Sequence, residues 1–216
     1  MAEKVEIRET APAERTRGVR LTGEERRRQI VEAAAALFAR KGFRGTKTRE
    51  IAQAVGVSEA MLFKHFATKE ELYAAIIEAK IQGPGIMDRL VQAAEQNDDA
   101  LVLRTLARKM IDLTRDDPTL LRLIFFSALE GHALSDMIFR SRVQQLDDFL
   151  RRYIARRVAE GAFRRLDPLQ AARSFVGMVG HFMQLQELFK QPLPPHLTPE
   201  AAVEEMIALF LEGCRA

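Results

Sequence analysis

Between Thr46 and Phe66 the chain has room for two short helices and one tight turn, and for little else. Ile51, Ala52 and Val55 fall at helical spacing, Gly56 interrupts them, and Ser58 is a natural N-cap for a following helix. On that helix Leu62 and Phe66 form an i,i+4 pair that can face inward against Ile51 and Val55. The flanks are equally constrained. Upstream, T-G-E-E at residues 22–25 has the capping-box spacing and opens a helix carrying Ile30, Ala34, Leu37 and Phe38, with Gly42 as its stop. Downstream, T-K-E-E at 68–71 opens another through Leu72, Ile76 and Ile77. Two short helices joined by a glycine turn and braced by a capped helix on each side describe a helix-turn-helix unit.

The remainder continues in helical periodicity, broken at the Gly-Pro-Gly of 83–85, Asn97-Asp98, Asp117-Pro118, Gly131, Gly161 and Asp167-Pro168. Long helices are expected over about 135–160 and 168–190, then a stiff QPLPPHLTP loop at 191–199 and a last helix through Met206, Leu209 and Phe210. No strand pair or repeat interrupts this, so the expected class is all-α. Residues 1–20 lack periodicity and read as a flexible basic arm, 21–67 as the helix-turn-helix domain, and 68–216 as a larger helical domain.

No run reaches the ~18 apolar residues that a membrane span needs, and the charged N-terminal stretch does not read as a secretory signal. A single cysteine, Cys214, excludes an internal disulfide and fits a reducing, cytoplasmic setting. Catalysis finds no support: G-x-S-x-G, H-E-x-x-H and a phosphate-cradling glycine loop are all missing. His132 and Asp136 are spaced to share a cation but lack further ligands nearby, so neither a metal nor a cofactor is expected.

Charge is distributed unevenly. Residues 15–69 hold 13 Lys/Arg against 5 Asp/Glu, a local +8, while the rest holds 20 against 25, a net of −5. A cationic end on an acidic body points that end at a polyanion. In a helix-turn-helix the second helix lies in the DNA major groove while the first crosses the backbone. With Leu62 and Phe66 as anchors, Glu59, Ala60, Phe63 and Lys64 face outward, and His65 and Lys69 stand at the far end where phosphates run. Lys47, Thr48 and Arg49 open the preceding helix, whose unpaired N–H groups also favour a phosphate. The arm's Arg15, Arg17 and Arg20 would add salt-dependent affinity. Arg26, Arg27 and Arg28 read as a solvated face of the first helix.

The run GTKTREIAQAVGVSEAMLFKHFATKEEL (45–72) resembles the DNA-binding signature of TetR-type transcriptional repressors. Thr46, Ile51-Ala52, Gly56-Val57-Ser58, Leu62, His65-Phe66, Lys69 and Leu72 fall on its pattern, and the likeness covers roughly 22–80. It implies a homodimer with an N-terminal helix-turn-helix domain and a larger C-terminal domain for dimerisation and effector binding. A double-stranded palindromic operator and a small apolar or amphipathic effector that releases it are implied as partners. Carried over by position, backbone contacts fall on Lys47, Thr48, His65 and Lys69, and base-reading positions on Arg49, Glu59, Ala60, Met61 and Lys64.

Three residues leave the pattern. Phe63 stands where a tyrosine is usual, so it offers only van der Waals contact. Met61 replaces a small or hydroxyl residue, and Glu59 places a carboxylate where it could accept from a cytosine amino group. For the effector pocket the resemblance points to the methionine- and aromatic-rich set Met110, Phe125, Phe126, Met137, Phe175, Met178, His181 and Phe182, residue types that otherwise fill cores. The dimer face is expected on the last two long helices, where Gly177 and Gly180 allow close approach.

Overall fold

The computed structural model describes residues 22–81, 86–115, 117–131 and 144–216. The arm with Arg15, Arg17 and Arg20, the glycines at 83 and 85, and His132, Asp136 and Met137 lie outside those residues. Among the described residues there are ten α-helices: α1 Gly23–Gly45, α2 Thr48–Val55, α3 Glu59–His65, α4 Lys69–Ile81, α5 Ile86–Glu95, α6 Asp99–Asp112, α7 Thr119–Leu129, α8 Gln144–Ala159, α9 Pro168–Met183 and α10 Pro199–Cys214. The all-α expectation holds there; the β contact is an isolated bridge between Phe163 and Arg215.

Local chemistry sets most of the helix ends. Thr22 accepts the Glu25 N–H at 3.2 Å while the Glu25 carboxylate accepts the Thr22 N–H at 2.7 Å, closing the capping box of α1. Asp98, Asp167 and Thr198 cap α6, α9 and α10 by one-way bonds, each accepting the N–H three residues on, the last two with proline in the first turn. The second capping box closes only in part. Thr68 accepts the Glu71 N–H at 3.0 Å, but the Glu71 carboxylate reaches one residue further back, to the Ala67 N–H at 2.8 Å. Gly42 kinks α1 rather than ending it. At φ +73 it turns the chain, and the helix resumes for a last turn to Gly45. The expected helix over 168–190 is α9 followed by a π-helical turn, Gln184–Leu188.

The helices pack around two cores. The first gathers Ile30, Phe38, Ile51, Leu62, Phe66, Leu72, Tyr73 and Ile76 from α1–α4. The second gathers Leu90, Leu103, Leu106, Leu150, Ile154, Phe175, Val179 and Ile207 from α5, α6 and α8–α10. Helix α7 serves both: Leu120 and Leu123 enter the first core and Leu121 enters the second. Helix α4, beyond the expected domain limit at 67, packs Leu72, Tyr73, Ile76 and Ile77 into the first core.

Candidate nucleic-acid interface and effector cavity

The turn between α2 and α3 is built by Gly56, whose φ of +69 is left-handed and whose N–H donates to the Gln53 carbonyl at 3.1 Å. Ser58 then starts α3 by accepting the Met61 N–H at 3.1 Å. Leu62 and Phe66 are buried as expected, and the Arg27 guanidinium covers the Phe66 ring from 4.3 Å. Arg27 is therefore more than a solvated charge: its flat cation seals the core beneath α3. Outward from that anchor stand Glu59, Ala60, Met61, Phe63 and Lys64, all exposed, with His65 half-buried.

At the start of α2, Lys47 and Arg49 are exposed and Thr48 is half-buried. The Glu50 carboxylate accepts the Lys41 ammonium at 2.6 Å and the Lys47 N–H at 3.1 Å. The Lys41 bond, foremost, holds its carboxyl below the usual carboxylate range. The Thr48 hydroxyl donates to Glu59 Oε1 at 2.6 Å, joining the first residues of α2 and α3.

Lys69, half-buried, is engaged within the protein. Its ammonium donates to the Phe43 carbonyl and sits 4.3 Å over the Phe43 ring, capping the end of α1 from inside. Desolvation there lowers its pKa. The end of α1 is gripped from the other side too, because the Glu130 carboxylate accepts the Arg44 N–H at 3.2 and 3.3 Å.

In the body, an apolar cavity of about 200 Å³ lies between the two cores, lined by Leu106, Met110, Leu113, Thr114, Leu120, Leu121, Ile124, Leu146, Asp147, Val176, Gly180, Met183 and Gln184. Of the methionine and aromatic set, Met110 reaches this cavity. Phe175 instead fills the second core, its ring edge-on to Phe210 at 5.2 Å. Met178 lines a surface groove between α9 and α10, and Phe182 a separate hollow with Thr114, Met183 and Gln186. Phe125 packs half-buried against the second core, Phe126 lies against Gly42, and His181 is exposed. The leucines and Ile124 that form the wall carried no distinguishing signal, since their spacing is that of any buried helix face.

One wall of the cavity begins the π-turn at Gln184, a local widening of the helix that recurs at functional sites. Asp147 is the ionisable residue among those described in the lining, and burial pushes its carboxyl up against the opposing pull of Arg173.

A short, anchored helix with an open face, beside a cationic neighbour and joined to a helical body, is the arrangement of a helix-turn-helix unit. Residues 30–76 match the family model described as bacterial regulatory proteins, tetR family, and residues 101–213 match the C-terminal domain of AefR-like transcriptional repressors. The chain belongs to the TetR family of bacterial transcription regulators.

Among curated relatives it is similar to the HTH-type transcriptional activator FasR of Mycolicibacterium smegmatis, at 34% identity over 114 residues, covering 50% of this chain and 49% of the relative. It is also similar to the HTH-type transcriptional repressor KstR2 of Mycobacterium tuberculosis, at 30% identity, covering 56% of this chain and 52% of that protein. The chain thus spans about half the length of these relatives. Among solved structures, AibR in complex with isovaleryl coenzyme A and operator DNA superposes with a TM-score of 0.62 at 26% identity, covering 85% of this chain and 97% of AibR.

Proposed function

We propose that this protein is a transcriptional repressor that binds a palindromic DNA operator as a homodimer and is released by a small apolar or amphipathic effector. The observation that carries the DNA-reading half is α3: a helix pinned by Leu62 and Phe66 that leaves Ala60, Met61, Phe63 and Lys64 open on the cationic end of the chain. In this reading Arg49, Ala60, Met61, Phe63 and Lys64 face the groove, and Lys47 and His65 meet phosphates. Lys69 acts from beneath, by holding the end of α1 on which α2 depends. The family assignment of residues 101–213 supports the repressor sign. A two-fold dimer sets its reading helices about 34–36 Å apart or at a multiple of that, which calls for a palindrome.

Helices α9 and α10 are the proposed dimer face. Leu169 and Leu209 are exposed there, and a side chain added at Gly177 or Gly213 would meet nothing within 4 Å. The effector site is the cavity between α6, α7, α8 and α9. Its volume suits a short acyl chain or a compact ring system, so a larger ligand such as the acyl-coenzyme A held by AibR would seat only its apolar part. Ligand and operator then compete through the two placements of the reading heads that each prefers.

Selection of bound duplexes from a random pool tests this reading. A regulator recovers a palindrome and prefers it by ~10³-fold or more over random sequence; affinity indifferent to sequence would make the protein an architectural DNA binder instead. Lys64→Ala is expected to weaken binding and to lower the slope of log affinity against log salt by about 1 if the ammonium meets a phosphate.

A further inference from the structure

This inference rests on the proposed placement of α3 in the major groove. Its exposed face is mostly apolar: Ala60 and Phe63 are i,i+3 neighbours with Met61 beside them, and Met61 and Phe63 are left 40% and 44% exposed. Folding gains nothing from holding two large apolar side chains in water, so their desolvation is available to a partner. The major groove presents one apolar group to such a surface, the 5-methyl of thymine.

The acidic residue on that face, Glu59, is already engaged. Thr48 donates its hydroxyl proton to Glu59 Oε1 at 2.6 Å, the length of a charge-assisted bond. A threonine hydroxyl has one proton to give, so the same group has none left for a phosphate oxygen. The bond crosses the turn and ties the first residue of α2 to the first residue of α3. It therefore sets the spacing between the helix that meets the backbone and the helix that enters the groove. We infer that Glu59 is a positioning residue that fixes α3 against α2 through Thr48, and that base reading falls to Ala60, Met61 and Phe63, which recognise thymine methyl groups.

The test uses the full chain and the duplex it selects from a random pool, with each thymine replaced singly by deoxyuridine. In each half-site at least one such replacement is expected to weaken binding about fourfold, the worth of one apolar carbon removed from contact. That loss disappears in Met61→Ala or Phe63→Ala. Selection repeated with Glu59→Ala and with Thr48→Val, which break the same bond from its two ends, returns the original consensus, with selected and random duplexes shifted by one common factor. Glu59→Gln keeps an oxygen that accepts the Thr48 hydroxyl and returns both affinities to those of the unmodified chain.

Deoxyuridine without effect at every thymine overturns the inference. So does a Glu59→Ala protein that loses preference for cytosine at one base pair while Thr48→Val does not. Failure of the unmodified chain to select any sequence sinks the proposed function itself, and is told apart from those two results because no consensus exists to compare.

Discussion

In the first core Phe38, Phe43 and Tyr73 lock ring against ring, with centroids 5.2 to 5.6 Å apart, and the Tyr73 hydroxyl reaches the Leu123 carbonyl at 2.8 Å. On the side of the second, Leu106, Met110, Leu121 and Val176 border about 200 Å³ of open space that lies between the two. Both cores are made of ordinary apolar side chains, yet the aromatic centre of one is filled while the edge of the other opens on a cavity. A head that reads base edges must hold its helices to a fraction of an ångström, and close packing supplies that stiffness. A body that admits a ligand has to leave room, and room gives up the dispersion contacts a filled core enjoys.

Helix α7 links the two. Leu120 and Leu123 face the head while Leu120, Leu121 and Ile124 line the cavity, so any movement of α7 on filling the cavity bears on the head directly. At the end of that helix the Glu130 carboxylate occupies the space where a side chain on Gly42 would project.

The contrast can be broken most sharply by truncation. Phe38→Ala is expected to cost about 3–5 kcal/mol in urea unfolding and to abolish operator binding. Met110→Ala, which enlarges an existing space, should cost clearly less; equal losses would mean that the two cores are packed alike. Insertion gives the opposite test. Ala34, fully buried in the head, is expected to lose about 1–3 kcal/mol as Ala34→Leu, whereas Val176→Leu has the cavity to grow into and should change stability by less than about 0.5 kcal/mol.

The link between the regions is probed by Gly42→Ala, which combines a left-handed backbone with the Glu130 clash and is expected to cost about 1–3 kcal/mol. Most of the clash, but not the backbone strain, should be relieved in the double variant with Glu130→Ala, a non-additivity that a thermodynamic cycle reads. The smallest effect concerns pH. Burial raises the folded carboxyl of Asp147 above its unfolded value, so its protonation favours folding at low pH and that contribution is lost as pH rises through the folded value. Asp147→Asn is therefore expected to raise Tm slightly at neutral pH, with the gain vanishing as pH falls below the ordinary carboxylate range.

Features that depend on neighbours in the chain were legible in the sequence. The Thr22–Glu25 box, the Ser58 cap, the Gly56 turn and the burial of Leu62 and Phe66 all follow from residues within a turn or two of one another. Lys69 was legible as a charge but not as a direction. Whether its ammonium meets a phosphate or the Phe43 carbonyl depends on where α1 ends in space, 26 residues earlier in the chain. The cavity was the least legible. Met110, Phe175 and Met178 share the same spacing and chemistry, and the crossing of α6, α8, α9 and α10 sorts them into a cavity, a core and a surface groove.

The sequence by itself determined that this chain is helical, where several of its helices begin and turn, and which end of it carries the positive charge, because capping, glycine geometry and periodicity act locally. Only the tertiary structure decided that Glu59 is held by Thr48, that Lys69 reaches the Phe43 carbonyl, that Glu130 meets Arg44 and that a cavity lies between the cores. Each of these depends on bringing together groups that lie far apart along the chain or on how whole helices cross, and no local pattern encodes the distance between them.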